Sequence, residues 1–337
     1  MEPSITLIII LFSFFLCSQI HVILHELGHL VFGLIQKYEF IAFGWGGYGF
    51  IREDGRIKLR NYEIRGAGGY CIMTPPKPKN HKIPYFWYLS GGLIFNFLST
   101  VIFLLIIVFV HLNGVIYLFS MVFILIGLYL GIINTLPLKI SGGTDGCKIL
   151  AIYKNDQVQE YLYNSYRIRT DISKDIRMKD TPQNLFILPD NANFNNPIFA
   201  GIKYSEAYKY FDNGEYDKAE ETYKSLISEN IKLTNVLRNE VLCQILYFEI
   251  IKGNEEEVAK LMTKKLKKYI KSAKRDISKK RLMYAYTVLI EKDVEESESI
   301  WYDFHDACEY NLSKAEVESE SEIMDYIGKI GIEKGIL

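Results

Sequence analysis

The first residues of this sequence that could do chemistry are His25-Glu26-Leu27-Gly28-His29, which follow the pattern H-E-x-x-H. On an α-helix, residues four positions apart lie on the same face, so both imidazoles can bind one zinc ion. Glu26 lies beside them, where it can take a proton from an attacking water molecule. The pattern therefore predicts a hydrolytic metal centre with His25 and His29 as ligands and Glu26 as the general base.

That pattern lies inside an apolar segment that runs from Ile5 to Ile35. A segment of this length can cross a bilayer, because about 20 apolar residues are enough. Residues 1–4 contain no Lys or Arg, so a cleaved signal peptide is not indicated and we expect a retained transmembrane helix. Two histidines and a glutamate inside a membrane span are costly and are functional candidates by default. The alternative, helix-packing histidines with Glu26 as a buried hydrogen-bonding partner, stays open from the residues alone.

A second apolar stretch contains no Asp, Glu, Lys or Arg from Ile83 to Leu138, although the chain of 337 residues has 39 Lys and Arg and 40 Asp and Glu. This stretch is long enough for two passes, and the turn-forming residues 111–114 divide it. We predict spans near residues 5–35, 85–111 and 115–136. A purely soluble protein is excluded, and the near-zero net charge gives no case for a nucleic-acid partner.

The basic residues predict how the spans are oriented. The segment from Lys37 to Lys82 contains nine Lys and Arg against four Asp and Glu, whereas the N-terminus and the turn at 111–114 contain no basic residue. By the positive-inside rule, that segment and the long C-terminal region are cytoplasmic and the N-terminus is outside. The composition is rich in Ile, Lys and Asn, so we expect a bacterial cell membrane. Five cysteines without paired spacing, four of them on the cytoplasmic side, predict no disulfides.

Two imidazoles are not enough for catalytic zinc, which usually has three protein ligands and one open position. The third ligand should come from another element that returns to the same membrane depth. The third predicted span runs from outside to inside and ends shortly before Asp145. Because His25 and His29 lie in the cytoplasmic half of their span, Asp145 can meet them near the inner leaflet. The alternative for Asp145 is an N-cap of the following helix, predicted over residues 146–167.

Three separate places in the chain resemble the site-2 protease family, the intramembrane zinc metalloproteases. Residues 25–29 are similar to the family's zinc-binding helix, and Gly92-Leu-Ile-Phe-Asn96 has the place of the family's G-P-x-x-N. Asn134-x-x-Pro137, followed by Asp145-Gly146, resembles the N-x-x-P…D-G that supplies the third zinc ligand. The order, spacing and topology of the three motifs agree with one another.

The resemblance covers about residues 5–165, which is half of the chain. Two features depart from the family pattern. Leu93 occupies the position of the usual proline, and the gap between Pro137 and Asp145 is a few residues longer than the common spacing.

Membership of this family implies an endopeptidase that cleaves transmembrane or signal-peptide segments near the cytoplasmic face. It implies one Zn²⁺ per chain, held by His25, His29 and Asp145, with Glu26 as the catalytic base. It also assigns Asn96 a catalytic role, in contact with the substrate or the oxyanion. The alternative for Asn96 is a hydrogen bond between helices, since Asn side chains commonly link membrane helices.

A β-hairpin is predicted between the first two spans. Residues 39–59 are rich in Phe, Gly, Trp and Tyr, and Asp54-Gly55 predicts a tight turn between β-type residues. Residues 66–76 predict a further extended segment that ends at two prolines. The family commonly places a β-hairpin beside the zinc, where an exposed edge is able to pair with an unwound substrate strand.

The C-terminal half predicts a cytoplasmic helical domain that follows a linker rich in Pro and Asn. One stretch resembles a tetratricopeptide unit, and similar positions recur at two further places, equally spaced along the chain. The three sets of positions are Gly214, Ala219 and Tyr223; Gly253, Val258 and Met262; Lys292, Ser297 and Trp301. We therefore predict a tetratricopeptide-like array that binds a cytoplasmic protein or peptide. A purely structural or dimerising helical domain stays open.

Together these features predict a mainly α-helical polytopic membrane protein with a small membrane-associated β-hairpin. Its predicted parts are a metalloprotease domain at residues 1–165, a linker at 166–200 and a helical-repeat domain at 201–337. Its expected partners are the lipid bilayer, a membrane-embedded protein or peptide substrate and a ligand of the repeats. The alternative function is a non-catalytic membrane-tethered scaffold with a vestigial metal site. Glu26 argues against it, because a dead site needs no general base.

Overall fold

A computed structural model describes residues 3–53, 55–61, 68–80, 82–139, 143–154, 158–311 and 313–337. The chain divides into two compact units, Met1–Tyr163 and Asn164–Leu337. The described residues are mainly helical, as the sequence predicted, and a small sheet lies in the first unit.

Among the described residues, three helices of the first unit are long and apolar enough to cross a membrane. They are α1 (Pro3–Ile35), α2 (Phe86–Phe109) and α3 (Gly114–Thr135). Their ends differ from the predicted spans by no more than two residues, so the predicted helices are confirmed. At about 1.5 Å per residue, the 33 residues of α1 exceed the roughly 30 Å hydrocarbon core of a bilayer.

Small residues allow these three helices to pack closely. A Cβ atom added to Gly28 of α1 would overlap the carbonyl oxygen of Gly91 on α2, and a Cβ added to Gly91 would overlap Gly28 in turn. Gly127 of α3 has a similar position, because a Cβ there would overlap the Thr100 hydroxyl and lie 2.5 Å from the His21 ring. Backbones in contact at small residues are typical of membrane helices. The bundle is therefore tightest around the part of α1 that carries the polar residues.

A four-stranded antiparallel sheet follows α1, with the strand order β3-β2-β1-β4. Its strands are β1 (Glu39–Trp45), β2 (Tyr48–Glu53), β3 (Arg56–Asn61) and β4 (Gly69–Thr74). Glu53 pairs with Arg56, which confirms the predicted hairpin. Gly55 in its turn has φ +75°, the left-handed conformation that favours glycine, whereas Asp54 lies outside the described residues.

The sheet is larger than the predicted hairpin because β1 pairs with both β2 and β4. The predicted extended segment forms β4, although residues 66 and 67 lie outside the described part of the chain. The pairing of β4 with β1 could not be predicted from the sequence, since it joins segments that are distant along the chain. β4 is consequently one edge of the sheet, and β3 is the other.

Two helices, α4 (Asp145–Lys154) and α5 (Val158–Ser173), follow α3, where the sequence predicted one helix over residues 146–167. Residues 155–157 lie outside the described residues. The predicted linker at 166–200 is in part ordered by packing, because α5 continues to Ser173 and short 3-10 turns follow it. Met178, Leu185 and Phe186 of this segment are buried. Apolar residues placed between its prolines explain why the segment packs rather than remaining an exposed connection.

The described residues of the second unit form helices that pack around a large apolar core. Its helices are α6 (Pro197–Asp212), α7 (Tyr216–Ser225), α8 (Asn235–Lys252), α9 (Glu255–Leu261), α10 (Lys264–Lys271), α11 (Ile277–Tyr286), α12 (Val294–Cys308) and α13 (Lys314–Glu333). A π-helical turn, Thr287–Glu291, extends α11.

The predicted repeat spacing coincides with three left-handed turns between consecutive helices. Gly214, Gly253 and Lys292 have φ values of +77°, +71° and +56°. They separate α6 from α7, α8 from α9, and the extended α11 from α12. Glycine adopts this conformation without steric cost, whereas a lysine does not.

The second position of each predicted set is also equivalent in the structure. Ala219, Val258 and Ser297 are all buried just inside the helix that follows the turn. The third position is less regular, because Tyr223 is fully buried whereas Trp301 is 39% exposed. The three predicted sets therefore agree at the turn residue and at the second position. They differ at the third position, where Trp301 is partly exposed.

We expect Gly253→Ala to destabilise the turn between α8 and α9 by about 1 kcal/mol, because an alanine at φ +71° is strained. Lys292→Gly should have the opposite effect at the equivalent turn. Hydrogen–deuterium exchange of peptides across the two turns measures both changes, with faster exchange in the first variant and slower exchange in the second. Gly201→Ala is the matched control, since a Cβ there meets open space in α6. Unchanged exchange in Gly253→Ala would contradict the prediction.

Candidate metal centre

Within the described part of the chain, one buried cluster gathers three potential metal ligands, His25, His29 and Asp145. The two histidines lie one turn apart on α1, and Asp145 is the first residue of α4. All three side chains are buried. The structure thus brings together the three residues that the sequence predicted as ligands, although they come from segments 120 residues apart.

The three ligand atoms form a nearly regular triangle. The Nε2 atoms of His25 and His29 are 3.1 Å apart. Asp145 Oδ2 lies 3.1 Å from His25 Nε2 and 3.2 Å from His29 Nε2. Tetrahedral zinc, with bonds of about 2.0–2.1 Å, separates its ligand atoms by roughly 3.3 Å. The residues present therefore fit an ion of this size, with three protein ligands and one position left for another ligand.

A backbone carbonyl determines which nitrogen His29 presents to the cluster. His29 Nδ1 lies 2.7 Å from the carbonyl oxygen of Tyr88, and a carbonyl oxygen can only accept a hydrogen bond. Nδ1 therefore carries a proton. In a neutral His29, Nε2 then has a lone pair that faces Asp145 and can bind a metal ion. In a doubly protonated His29, Nε2 donates a hydrogen bond to Asp145 across the 3.2 Å contact. The contact suits either a metal site or an ion pair between the helices.

Thr144 caps helix α4, so the Asp145 side chain is not its N-cap. Thr144 Oγ1 accepts a hydrogen bond from the Cys147 amide at 3.3 Å and donates one to the Leu136 carbonyl at 2.6 Å. Its amide also donates to the Leu138 carbonyl at 3.1 Å. These bonds tie the start of α4 to the end of α3. The longer gap before Asp145 therefore does not carry it away from the histidines.

Lys148 contacts the second oxygen of Asp145, with 3.2 Å between Nζ and Oδ1. Burial by itself would raise the pKa of Asp145, but His29, Lys148 and the hydrogen bond with His25 together hold it well below its usual range. Asp145 is therefore an anion whose Oδ2 faces the histidines and whose Oδ1 is held by a lysine. This arrangement suits a ligand that binds through one oxygen.

Two glycines make room for the cluster. A Cβ on Gly146 would overlap the Thr135 carbonyl oxygen, so α4 can lie against the end of α3 only because residue 146 has no side chain. A Cβ on Gly92 of α2 would lie 2.5 Å from the His25 ring. Both glycines belong to the motifs that resemble the site-2 proteases, and both allow a ligand to reach its position.

Glu26 lies between the cluster and the sheet. It interacts electrostatically with His25, His29 and Asp145. On its other side is the edge strand β4, where a Cβ added to Gly69 would lie only 2.9 Å from Glu26 Cγ. The predicted general base is therefore placed beside the three ligands and next to an edge strand of the sheet.

Asn96 is buried on α2, where its side-chain amide lies between two histidines of α1. Asn96 Nδ2 lies 3.3 Å from His25 Nδ1, and Asn96 Oδ1 lies 3.4 Å from His21 Nδ1. The structure thus places Asn96 in hydrogen bonds between helices and in contact with a candidate ligand. Contact between Asn96 and a substrate stays a prediction.

Sequence reasoning assigned no role to His21, which is fully buried. Its Nε2 lies 3.0 Å from the Phe123 carbonyl oxygen of α3, and its Nδ1 faces Asn96. The signal in the sequence was its position one helical turn before His25, within an apolar helix where an unsupported polar side chain is costly. Lys148 and Thr144 were also not singled out, because their roles depend on the contact between α3 and α4.

We expect Gly146→Ala to lower zinc affinity at least tenfold, because the added Cβ forces α4 away from α3 and carries Asp145 with it. The measurement is zinc binding to the detergent-purified chain in competition with a chromophoric chelator. Gly201→Ala serves as the matched control in a helix with open space. Equal affinities of Gly146→Ala and wild type would show that Asp145 does not depend on this close approach.

No family model, curated protein or solved structure matches this chain. The resemblance to site-2 proteases consequently depends on the three motifs quoted from the sequence. The cluster of His25, His29 and Asp145, with Glu26 beside it, is the structural feature from which a function can be inferred.

Proposed function

We propose that this chain is a zinc-dependent intramembrane endopeptidase of the site-2 protease type. One observation carries the proposal: two imidazole nitrogens and a carboxylate oxygen lie 3.1–3.2 Å from one another, with Glu26 adjacent, in a helix long enough to cross a membrane. Two His and one carboxylate are a ligand set of catalytic zinc sites, which keep a further position open.

His25, His29 and Asp145 are the residues that would hold one Zn²⁺ per chain. When bound, the metal would polarise a water molecule and the carbonyl group of a peptide bond. Neighbouring residues of the chain hold the ligand side chains in place. The Tyr88 carbonyl orients His29, and Lys148 holds the carboxylate of Asp145.

Glu26 is the proposed general base. It takes a proton from the attacking water and then gives that proton to the leaving amine. Glu26 packs against Gly69 of β4, so a peptide that pairs with this edge strand would lie near the carboxylate. The burial of the cluster limits access of bulk water, which strengthens the electrostatic interactions within it.

The proposed substrates are membrane-embedded protein segments, including signal peptides. A transmembrane helix hides its peptide groups in internal hydrogen bonds, so it must unwind locally before a peptide bond can be cut. β4 is an edge strand beside Glu26, and an unwound strand can add to such an edge through backbone hydrogen bonds. Because basic residues follow the first and third spans, we propose that cleavage occurs near the cytoplasmic face.

The second unit is proposed to be a tetratricopeptide-like repeat domain on the cytoplasmic side. Three helical pairs, with left-handed turns at equal spacing along the chain, support this proposal. Such arrays commonly bind peptides, so the domain would recruit a substrate or a regulator. The alternative of a scaffold with a vestigial metal site gives no role to Glu26.

We expect Glu26→Gln to keep about one zinc per chain and to lower cleavage of a co-expressed tagged transmembrane substrate by roughly 10²–10⁴-fold, because the amide cannot accept the proton. His25→Ala and Asp145→Ala should lose both zinc and cleavage. Zinc content and product formation are measured on the same purified samples.

Glu39→Gln is the matched control for the loss of a carboxylate, since Glu39 lies at the exposed start of β1. It should cleave as wild type does. A wild type that holds no zinc and leaves the substrate intact, even after zinc is restored, would refute the protease proposal in favour of the scaffold.

We expect helix-breaking residues in the substrate to increase the cleavage rate, because they lower the cost of unwinding. Gly and Pro are introduced one position at a time through the substrate span, and initial rates are compared. Ala at the same positions provides the control. Identical rates for all substitutions would show that unwinding does not limit cleavage.

A further inference from the structure

The short helix α10 carries a row of lysines on the surface of the second unit. Its sequence, KKLKKYIK, contains five lysines and no acidic residue. Leu266 and Ile270 are buried in the apolar core, whereas all five lysines are exposed. At about 100° per residue, the lysines fall within roughly 160° of the helix circumference, opposite the two buried side chains. These five residues, here called the basic face, are Lys264, Lys265, Lys267, Lys268 and Lys271.

The basic face differs from the surrounding surface because its charges are not paired. Among the residues that the structure describes, none of the five lysines forms an ion pair with a carboxylate. Elsewhere in the second unit, lysines commonly do so. Examples are Lys203, Lys218, Lys224, Lys252, Lys260, Lys279 and Lys280. Unpaired lysines are therefore concentrated on α10 and are not a general property of this surface.

The charges of the basic face oppose the stability of α10 as a helix. Like charges four positions apart repel each other, and Lys264 and Lys268 have this spacing. Cations in the first turn also oppose the helix dipole, whereas the preceding helix α9 has three glutamates in its first turn. Each effect is small, but all have the same sign. An anionic surface bound to the basic face would remove this repulsion.

The residue type in the basic face fits an extended anionic surface better than a single bound anion. Lysine is a flexible point charge, whereas arginine binds one phosphate or carboxylate through two parallel hydrogen bonds. α10 contains no arginine, and its eight residues extend over about 12 Å. A layer of lipid headgroups offers many negative charges in one plane. Lysines can interact with such a layer without a fixed geometry.

The covalent connection of the second unit to three candidate membrane spans favours lipid as the source of these charges. The connection keeps the local concentration of the unit at the membrane high, so a weak contact by each lysine is enough. Clusters of about four to eight basic residues on an amphipathic helix are typical of anionic-lipid binding. The chain's net charge of −1 gives no comparable case for nucleic acid.

We propose that the basic face of α10 binds the anionic headgroups of the membrane in which the chain is anchored. This contact holds the second unit close to the lipid surface, where the proposed substrates are embedded. The inference rests on the proposed cytoplasmic placement of the second unit and does not depend on the candidate metal centre. Because the interaction is electrostatic, salt weakens it.

The test measures lysine acetylation in the full chain, reconstituted into nanodiscs of phosphatidylcholine alone or with phosphatidylglycerol as about a third of the lipid. Mass spectrometry gives the initial rate at each lysine, with Lys218 and Lys252 as references outside the basic face. We expect the basic face to react at least about threefold more slowly in the anionic discs, because headgroups cover its amines. Salt at about 0.5 M should remove the difference.

Two variants with the same change in net charge separate a local contact from general attraction. The test variant combines Lys264→Gln, Lys265→Gln, Lys267→Gln and Lys268→Gln, which keeps the helix because Gln and Lys have similar helix propensities. Its remaining Lys271 should react equally fast in both kinds of disc. The matched control replaces four exposed lysines elsewhere in the second unit and should keep the wild-type difference at Lys271. Its changes are Lys292→Gln, Lys314→Gln, Lys329→Gln and Lys334→Gln.

Equal acetylation of the basic face in neutral and anionic discs would overturn the proposal and would leave an acidic protein as the partner to seek. A matched control that loses the difference as fully as the test variant would also refute it, because the attraction would then depend on net charge alone. The measurement uses no zinc, substrate or activity assay. Its failure therefore leaves the proposed protease function intact, and a chain without protease activity leaves this contact intact.

Discussion

Two imidazole nitrogens and a carboxylate oxygen converge on one point inside an apolar helix bundle, and the rest of the first unit is arranged around that convergence. Three such atoms 3.1–3.2 Å apart can share protons through hydrogen bonds or bind one metal ion, and both arrangements need firm support in a medium of low polarity. Glycines at helix crossings provide the space, since Gly28, Gly92 and Gly146 each lie where a Cβ would overlap another helix or a candidate ligand. The candidate metal site therefore depends on the close packing of the helix backbones at these glycines.

Backbone carbonyls of neighbouring helices have a second use in this site. A helical carbonyl accepts one hydrogen bond from its own helix but has two lone pairs, so it can accept another from a side chain. The carbonyls of Tyr88 and Phe123 use this capacity for His29 and His21. Because a carbonyl never donates, each contact places a proton on the histidine nitrogen that faces it. A shift of α2 or α3 along α1 would therefore break the hydrogen bond that orients His29 or His21.

The two units depend on different physical principles. In the first, the chemistry needs polar groups in an apolar environment, and each is held by a specific partner. In the second unit, left-handed backbone turns recur at equal spacing along the chain, at Gly214, Gly253 and Lys292. The lysine in the last turn is exposed, yet it adopts a conformation that the residue itself does not favour. The equal spacing of these turns is consequently easier to see in the structure than in the sequence.

The sequence by itself determined the three long apolar helices, the β2–β3 hairpin and the identity of His25, His29 and Asp145 as candidate ligands. Each of these follows from local composition or from spacing along the chain. Tertiary structure alone decided that β1 pairs with β4, that Thr144 rather than Asp145 caps α4, and that His21 reaches His25 through Asn96. These contacts join residues that lie far apart in the chain or depend on how two helices approach. Local pattern carries no information on such approaches, because they are determined by the packing of complementary surfaces.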